Sequence, residues 1–135
     1  MVFIVQVLKD ELRHKILLEA QHLFLQRGYD RTSLQMIADK VNISKSNLYH
    51  YFKNKEELFY ELTDGAADGL KKLILRFRDK RFDLHTGQRE YQVLLTEEVI
   101  SLLLAEKYGL LLIMEQAHGT RYEDLRSSLI DMVAA

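Results

Sequence analysis

Residues 42–58 read NISKSNLYHYFKNKEEL and crowd lysine, asparagine, serine, tyrosine and histidine into one short segment. Ser44 is a good helix N-cap. Ile43 before it and Leu48 at the fourth helical position have the spacing of a hydrophobic staple, which fixes the angle at which a chain enters a helix. At about 100° per residue, Leu48 and Phe52 share one face. Ser46 and His50 lie opposite, Asn47 and Tyr49 flank them, and Lys45 sits at the edge near the start. The expected arrangement is a helix over 44–52 with Leu48 and Phe52 buried and a compact polar face outward. Such a face suits a helix that enters a DNA major groove and touches base edges and phosphates. A solvated helix of an ordinary bundle is the other reading of the same wheel.

Upstream, residues 10–27 read as an amphipathic helix, with Leu12, Ile16, Ala20, Leu23 and Phe24 at helical spacing. Gly28 follows directly and suits a left-handed C′ position. The chain then turns through Tyr29-Asp30-Arg31. A second, short helix is expected from Thr32, because Thr32 and Gln35 have capping-box spacing. Leu34, Ile37, Ala38 and Val41 form its inner face, and Asn42 tolerates the left-handed backbone of a tight turn. A short helix, a tight turn and a capped second helix with a polar outer face make a helix-turn-helix.

Downstream, Asn54 and Glu57 mark another helix start, with a fourth helix from Lys55 to about 79. Gly65 and Gly69 interrupt it at roughly 1 kcal/mol each against alanine. Close packing against a neighbour explains them more simply than a bend that transmits motion. Residues 78–92 are polar with one glycine and read as a loop. A helix is expected from Thr96 to about Gln116, apolar nearly all round at 110–114 and therefore buried on several sides. His118-Gly119-Thr120 breaks it before a last helix over 121–133. The fold class is all-α: a three-helix domain over 1–55, then a helical domain over 56–135.

Composition narrows the function. The 135 residues contain no cysteine, so disulfides and cysteine zinc sites are excluded, which fits a reducing, cytoplasmic setting. There is no proline, which permits long helices. The apolar opening MVFIVQV is too short to span a bilayer and lacks signal-peptide flanks. It reads as an ordered lead-in or a frayed end. The net charge of −1 is unevenly spread. Residues 9–55 carry nine basic groups against five acids, +4, which leaves −5 for 56–135. A basic portion of this kind suits a polyanion. The five histidines are scattered without metal-ligand spacing, Ser127-Ser128 has no base partner, and no glycine-rich phosphate loop is present. No enzyme, metal site or cofactor is expected.

Four pieces in order, I-L-x-x-A-x-x-L-F with R-G-Y, T-S-x-x-x-I-A, I-S-K-S-N-L-Y-H-Y-F and K-N-K-E-E-L, lie within residues 16–59. This stretch resembles the N-terminal domain of the tetracycline-repressor (TetR) family. It departs from the family at Asn42, where glycine is usual, and in its apolar rather than basic start.

The resemblance implies a transcriptional regulator that binds double-stranded DNA at an inverted repeat as a homodimer, released by a small-molecule effector. It implies that Lys45, Ser46 and Asn47 read bases and phosphates, that Tyr49 and His50 touch backbone or a base edge, and that Thr32 and Ser33 each bond a phosphate. Lys55 would hold a phosphate at a helix start. Tyr51 is either a phosphate contact or a packing residue. In the second domain, which is short for the family, Ile100, Leu103, Leu104, Leu111, Met114 and His118 are the expected wall of an effector pocket. The rival from another class is a helical interaction protein, or a shortened regulator, that pairs with another protein.

Overall fold

In the computed structural model, residues 1–78, 89–116 and 118–134 are described. Seven helices and no strand are found among them: α1 (Val2–Arg27), α2 (Leu34–Val41), α3 (Lys45–Tyr49), α4 (Lys55–Arg78), α5 (Arg89–Ala105), α6 (Lys107–Gln116) and α7 (Glu123–Ala134). The chain divides into two units, Met1–Leu62 and Thr63–Ala135, with α4 contributing to both.

In the first unit α1 buries Ile16, Ala20, Leu23 and Phe24, one stripe at helical spacing. The helix begins at Val2, well before the expected start at residue 10. Nothing between the two positions stops a helix, and Gln6 bonds Asp10 one turn on at 3.0 Å. The apolar residues of this added stretch, from Met1 to Leu8, are exposed. At the other end Gly28 takes φ 92°, ψ 158°, a positive φ that favours glycine but an extended ψ rather than the left-handed helical cap expected. Its N–H still closes on the Phe24 carbonyl at 2.9 Å.

The start of α2 lies one residue later than the sequence suggests. Ser33, not Thr32, is the N-cap, and its Oγ accepts from the Met36 N–H at 3.1 Å. Gln35 turns instead to Asp39 at 2.8 Å. Asn42 ends the helix in the left-handed region, φ 62° and ψ 45°. Its N–H donates to the Asp39 carbonyl, and that of Ile43 donates to the Ala38 carbonyl at 3.0 Å, the pairing of a Schellman cap. Two residues on, Ser44 caps α3, its Oγ accepting from Asn47 N–H at 3.0 Å. Regular α3 is shorter than expected, ending at Tyr49. Its last turn tightens as His50 and Tyr51 donate to carbonyls three residues back. Phe52 still closes a full turn onto the Leu48 carbonyl at 3.1 Å.

At the start of α4, Asn54 Oδ1 accepts from Glu57 N–H at 2.7 Å, and Glu57 reaches back to Lys53 N–H at 3.3 Å. The core of this unit closes where α4 supplies Leu58 and Phe59. Phe59 meets Phe24 edge to face, 5.5 Å between ring centres, and Tyr29 at 4.9 Å.

The second unit packs around the remaining turns of α4, which bury Thr63, Ala66, Ala67, Leu70 and Ile74. Gly65 and Gly69 are sites of close approach, as the simpler explanation has it. A Cβ on Gly65 would stand 2.5 Å from Glu106 Oε1, and one on Gly69 2.2 Å from Leu102 Cδ1. Two expectations need correction here. Residues 89–92, read as loop, belong to α5, since a polar composition does not by itself stop a helix; residues 79–88 lie outside the described part. The single helix over 96–116 is two helices meeting in a bend at Glu106. The bend falls where Glu106 lies over the bare backbone of Gly65. Hydrogen bonds run through it, from Glu106 N–H to Leu102 and from Leu110 N–H to Glu106. Within 110–114, Leu112 and Ile113 are fully buried, but Leu111 is exposed.

Candidate nucleic-acid interface

The outward face of α3 is assembled by what lies behind it. Leu48 is 0% exposed and Phe52 1%, so one side of the 44–52 segment is pinned in the core. The wheel then turns Lys45, Ser46, Asn47, Tyr49 and His50 outward, and all five are exposed. The Lys45 ammonium lies 5.9 Å from the centre of the Tyr49 ring, so a cation and an aromatic edge share the same patch. Tyr51 is half-buried.

The two serine caps have a second chemical property. Each Oγ accepts from a backbone N–H of its own helix, at Met36 and Asn47, and that leaves the hydroxyl proton to donate elsewhere. Ser33 and Ser44 are exposed, at the positive ends of α2 and α3.

Thr32 and Lys55 are placed differently from the rest. Thr32 is 1% exposed, and its hydroxyl donates to the Gly28 carbonyl at 2.8 Å, with the Leu23 carbonyl 3.3 Å away. A hydroxyl so placed has no route to an outside phosphate; it closes the connection between α1 and α2. Lys55 donates to the Tyr29 carbonyl at 2.8 Å and lies 4.2 Å over the Tyr29 ring, so one of its three protons serves the fold. Burial, followed by the charge of Glu56, holds the Tyr29 phenol above its ordinary pKa.

Arg13 is a further residue of the interface's support that the sequence reading passed over. Its guanidinium lies 5.0 Å over the ring of Phe52 and pairs with Glu61. It thereby ties α1 to the residue that backs α3. The signal was available: Arg13 stands three residues before Ile16, in line with the buried stripe of α1, where a cation needs a partner.

Of the residues expected to wall an effector pocket, most are exposed. Ile100, Leu103, Leu104 and Leu111 are exposed, Met114 is half-buried, and His118 is exposed with Nδ1 2.9 Å from Glu123. A cavity of about 400 Å³ lies elsewhere in this unit, lined by Gly69, Leu73 and Leu102 with Lys72, Arg76, Glu97, Glu98 and Ser101. None of the six lines it. In the same unit, Asp64 accepts from both Arg121 and the Tyr122 hydroxyl. Burial first, then that bond to Asp64, pushes the Tyr122 phenol up. The Gly119 N–H and His118 hold the Glu123 carboxyl below its ordinary value. Among the described residues no group of His, Asp and Glu is placed to hold a metal ion, and no helix is long and apolar enough to cross a membrane.

Residues 16–62 match the family model described as bacterial regulatory proteins, tetR family. Among curated proteins, the biofilm operon icaADBC HTH-type negative transcriptional regulator IcaR of Staphylococcus epidermidis is 33% identical over 73 residues, 54% of this chain and 40% of that protein. Its counterpart in Staphylococcus aureus (strain Newman) is 35% identical over 69 residues, 51% of this chain and 37% of that protein. The chain thus spans about two fifths of the length of these relatives. Among solved structures, one described as a tetR family transcription regulator from Shewanella sp. PV-4 superposes with a TM-score of 0.55 at 21% identity. That match covers 91% of this chain and 64% of the other, and it shows the fold.

Proposed function

Since residues 16–62 match the family model of tetR-family bacterial regulatory proteins, we propose that this chain is a DNA-binding transcriptional regulator of the cytoplasm that acts as a repressor. One observation carries the reading. The polar side of α3 faces solvent as a block, with Leu48 and Phe52 buried behind it. In this scheme α3 enters the major groove. Asn47, with a donor and an acceptor on one amide, reads a base edge, and Lys45 and Ser46 divide between bases and phosphates. Ser33, His50 and Tyr51 meet the phosphate backbone, Ser33 from the start of α2. Lys55 has two further protons for a phosphate while it holds Tyr29. Thr32 keeps its place in the fold and is left out of the contact set.

One such unit reads only a few base pairs. Specific binding then takes two copies on an inverted repeat, with recognition helices about 34 Å apart. The scheme includes a small-molecule effector in the second unit, and the cavity beside Gly69 has the size of a ligand site. An effector would release DNA only to the extent that it binds the released state more tightly.

Selection of bound sites from random DNA, followed by mobility shift at varied salt, tests the reading. The expected result is an inverted repeat, with affinity falling roughly 10³–10⁵-fold between 50 and 200 mM salt if 6–10 phosphates are neutralised. Asn47→Ala should change which sequences are preferred. No recovered motif together with flat salt dependence would leave the chain a protein-pairing module instead.

A further inference from the structure

The outward face of α3 is held from behind at both of its ends. At the start the chain is fixed by the left-handed Asn42, the Ser44 cap and packing against α2. At the far end the backing residue is Phe52, three residues beyond the regular helix and 1% exposed. The Arg13 guanidinium stands 5.0 Å from the centre of the Phe52 ring. Glu61 on α4 pairs with that guanidinium. Arg13 therefore joins α1, the end of the α3 segment and α4 within the first unit. Both members of the ion pair keep part of their side chains in water, so the pair adds little to stability. It is better suited to fixing a position than to holding the fold.

We infer that Arg13 is a positioning residue for sequence discrimination: through Phe52 it sets the tilt of α3 in the groove without touching DNA. The inference rests on the DNA-binding reading above and deepens it. The far end of the segment is sensitive for a geometric reason. Ser44 and Phe52 are about 12 Å apart at helical rise, so a shift of about 1 Å at Phe52 turns the segment by about 5° about its start. Hydrogen bonds to base edges hold only over a narrow range of distance and angle. Attraction to phosphates is electrostatic and reaches over a Debye length of ~10 Å. A small tilt hence costs discrimination between sequences more than it costs affinity for DNA in general. Glu61 shares the task, because a guanidinium without its carboxylate is free to leave the ring. Arg13 is also a cation close to the proposed interface, so direct contact with a phosphate is the competing role.

Mobility shift at several salt concentrations, on the selected inverted repeat and on unrelated DNA, separates the two roles. The ratio of the two affinities should fall about tenfold in Arg13→Gln, the scale of one weakened base contact. Affinity for unrelated DNA and the slope of log K against log salt should match those of the unaltered chain. Arg13→Lys keeps the charge but loses the planar group, and should discriminate no better than Arg13→Gln. Glu61→Gln should lower the ratio about threefold, and adding it to Arg13→Gln should lower it no further, since both act through one contact. Thermal melts locate a temperature at which every variant is folded. A ratio unchanged there overturns the inference, whatever the melting temperatures, and leaves Arg13 a structural residue. A salt slope shallower by about one, with equal losses on every sequence and recovery in Arg13→Lys, overturns it in favour of a phosphate contact. An unaltered chain that selects no site sinks the DNA-binding reading and this inference together. An unaltered chain that discriminates, with Arg13→Gln discriminating equally well, sinks the inference alone.

Discussion

The Lys55 ammonium donates to the Tyr29 carbonyl at 2.8 Å and rests 4.2 Å above the centre of the same residue's ring. Tyr29 in turn stacks against Phe24 and Phe59, so the first turn of α4 is fastened to the connection between α1 and α2 through one cation. Lys55→Ala removes both contacts and should cost about 1–2 kcal/mol in urea denaturation. In mobility shift it should weaken binding to every DNA sequence alike. Lys55→Arg, which keeps the charge, should recover most of both.

Thr32 and Ser33 are neighbours with separable roles. Thr32→Val keeps the shape but leaves the Gly28 carbonyl without its donor, and should cost about 1–2 kcal/mol of stability. The salt dependence of DNA binding should stay as it was. Ser33→Ala removes the N-cap of α2, about 1 kcal/mol, and also the outward proton, so DNA affinity should fall beyond what stability explains.

The two glycines of α4 should respond with opposite signs. At Gly65 the obstacle is the carboxylate end of Glu106, which can swing away, so Gly65→Ala should stabilise the chain by about 0.5–1 kcal/mol through helix propensity. At Gly69 the obstacle is a methyl of half-buried Leu102, only 2.2 Å from the new carbon. Gly69→Ala should cost about 1–3 kcal/mol through overpacking. Thermal melts of the two variants side by side would read the difference.

The tyrosine environments give stability an alkaline limit. Tyr29 and Tyr122 are raised above their ordinary 10.0, each chiefly by burial. Below pH 10 both are protonated, folded or unfolded, and the melting temperature is unaffected by them. Above it the unfolded chain loses protons that the folded chain retains, so the melting temperature should fall as pH rises through the folded values. Tyr122→Phe should flatten that decline while lowering stability at neutral pH, since Asp64 loses a donor. Glu123 has the opposite sign: its carboxyl is lowered, so its contribution is present above 4.5 and disappears as pH falls through the folded value. Glu123→Gln should flatten the acid limb of the same melting curve.

What the sequence made legible was local. The Ser44 cap, the left-handed Asn42 and the alternation of Leu48 and Phe52 against Ser46 and His50 depend on residues within one or two turns. The structure has them as read. What stayed hidden depends on partners far along the chain. Thr32 looked like a cap because its spacing to Gln35 is right, but the Gly28 carbonyl competes for its hydroxyl and wins. Lys55 looked like a free cation until Tyr29, 26 residues earlier, was found beneath it. The helical start of α1 was missed because an apolar run without a cap gives no signal of where a helix begins. The bend at Glu106 was missed because the apolar period runs on through it.

Regular α3 is only five residues long, little more than a single turn. A helix of that length has no stability of its own in water. Its shape is borrowed from Leu48, Phe52 and the helices that hold them. Loosening substitutions deep in this unit, at Ile16 or Phe24 for example, should therefore blur sequence discrimination at temperatures where circular dichroism still reports a folded protein. Under the proposed function, such changes would present genetically as heat-sensitive alleles, although neither side chain lies on the polar face of α3.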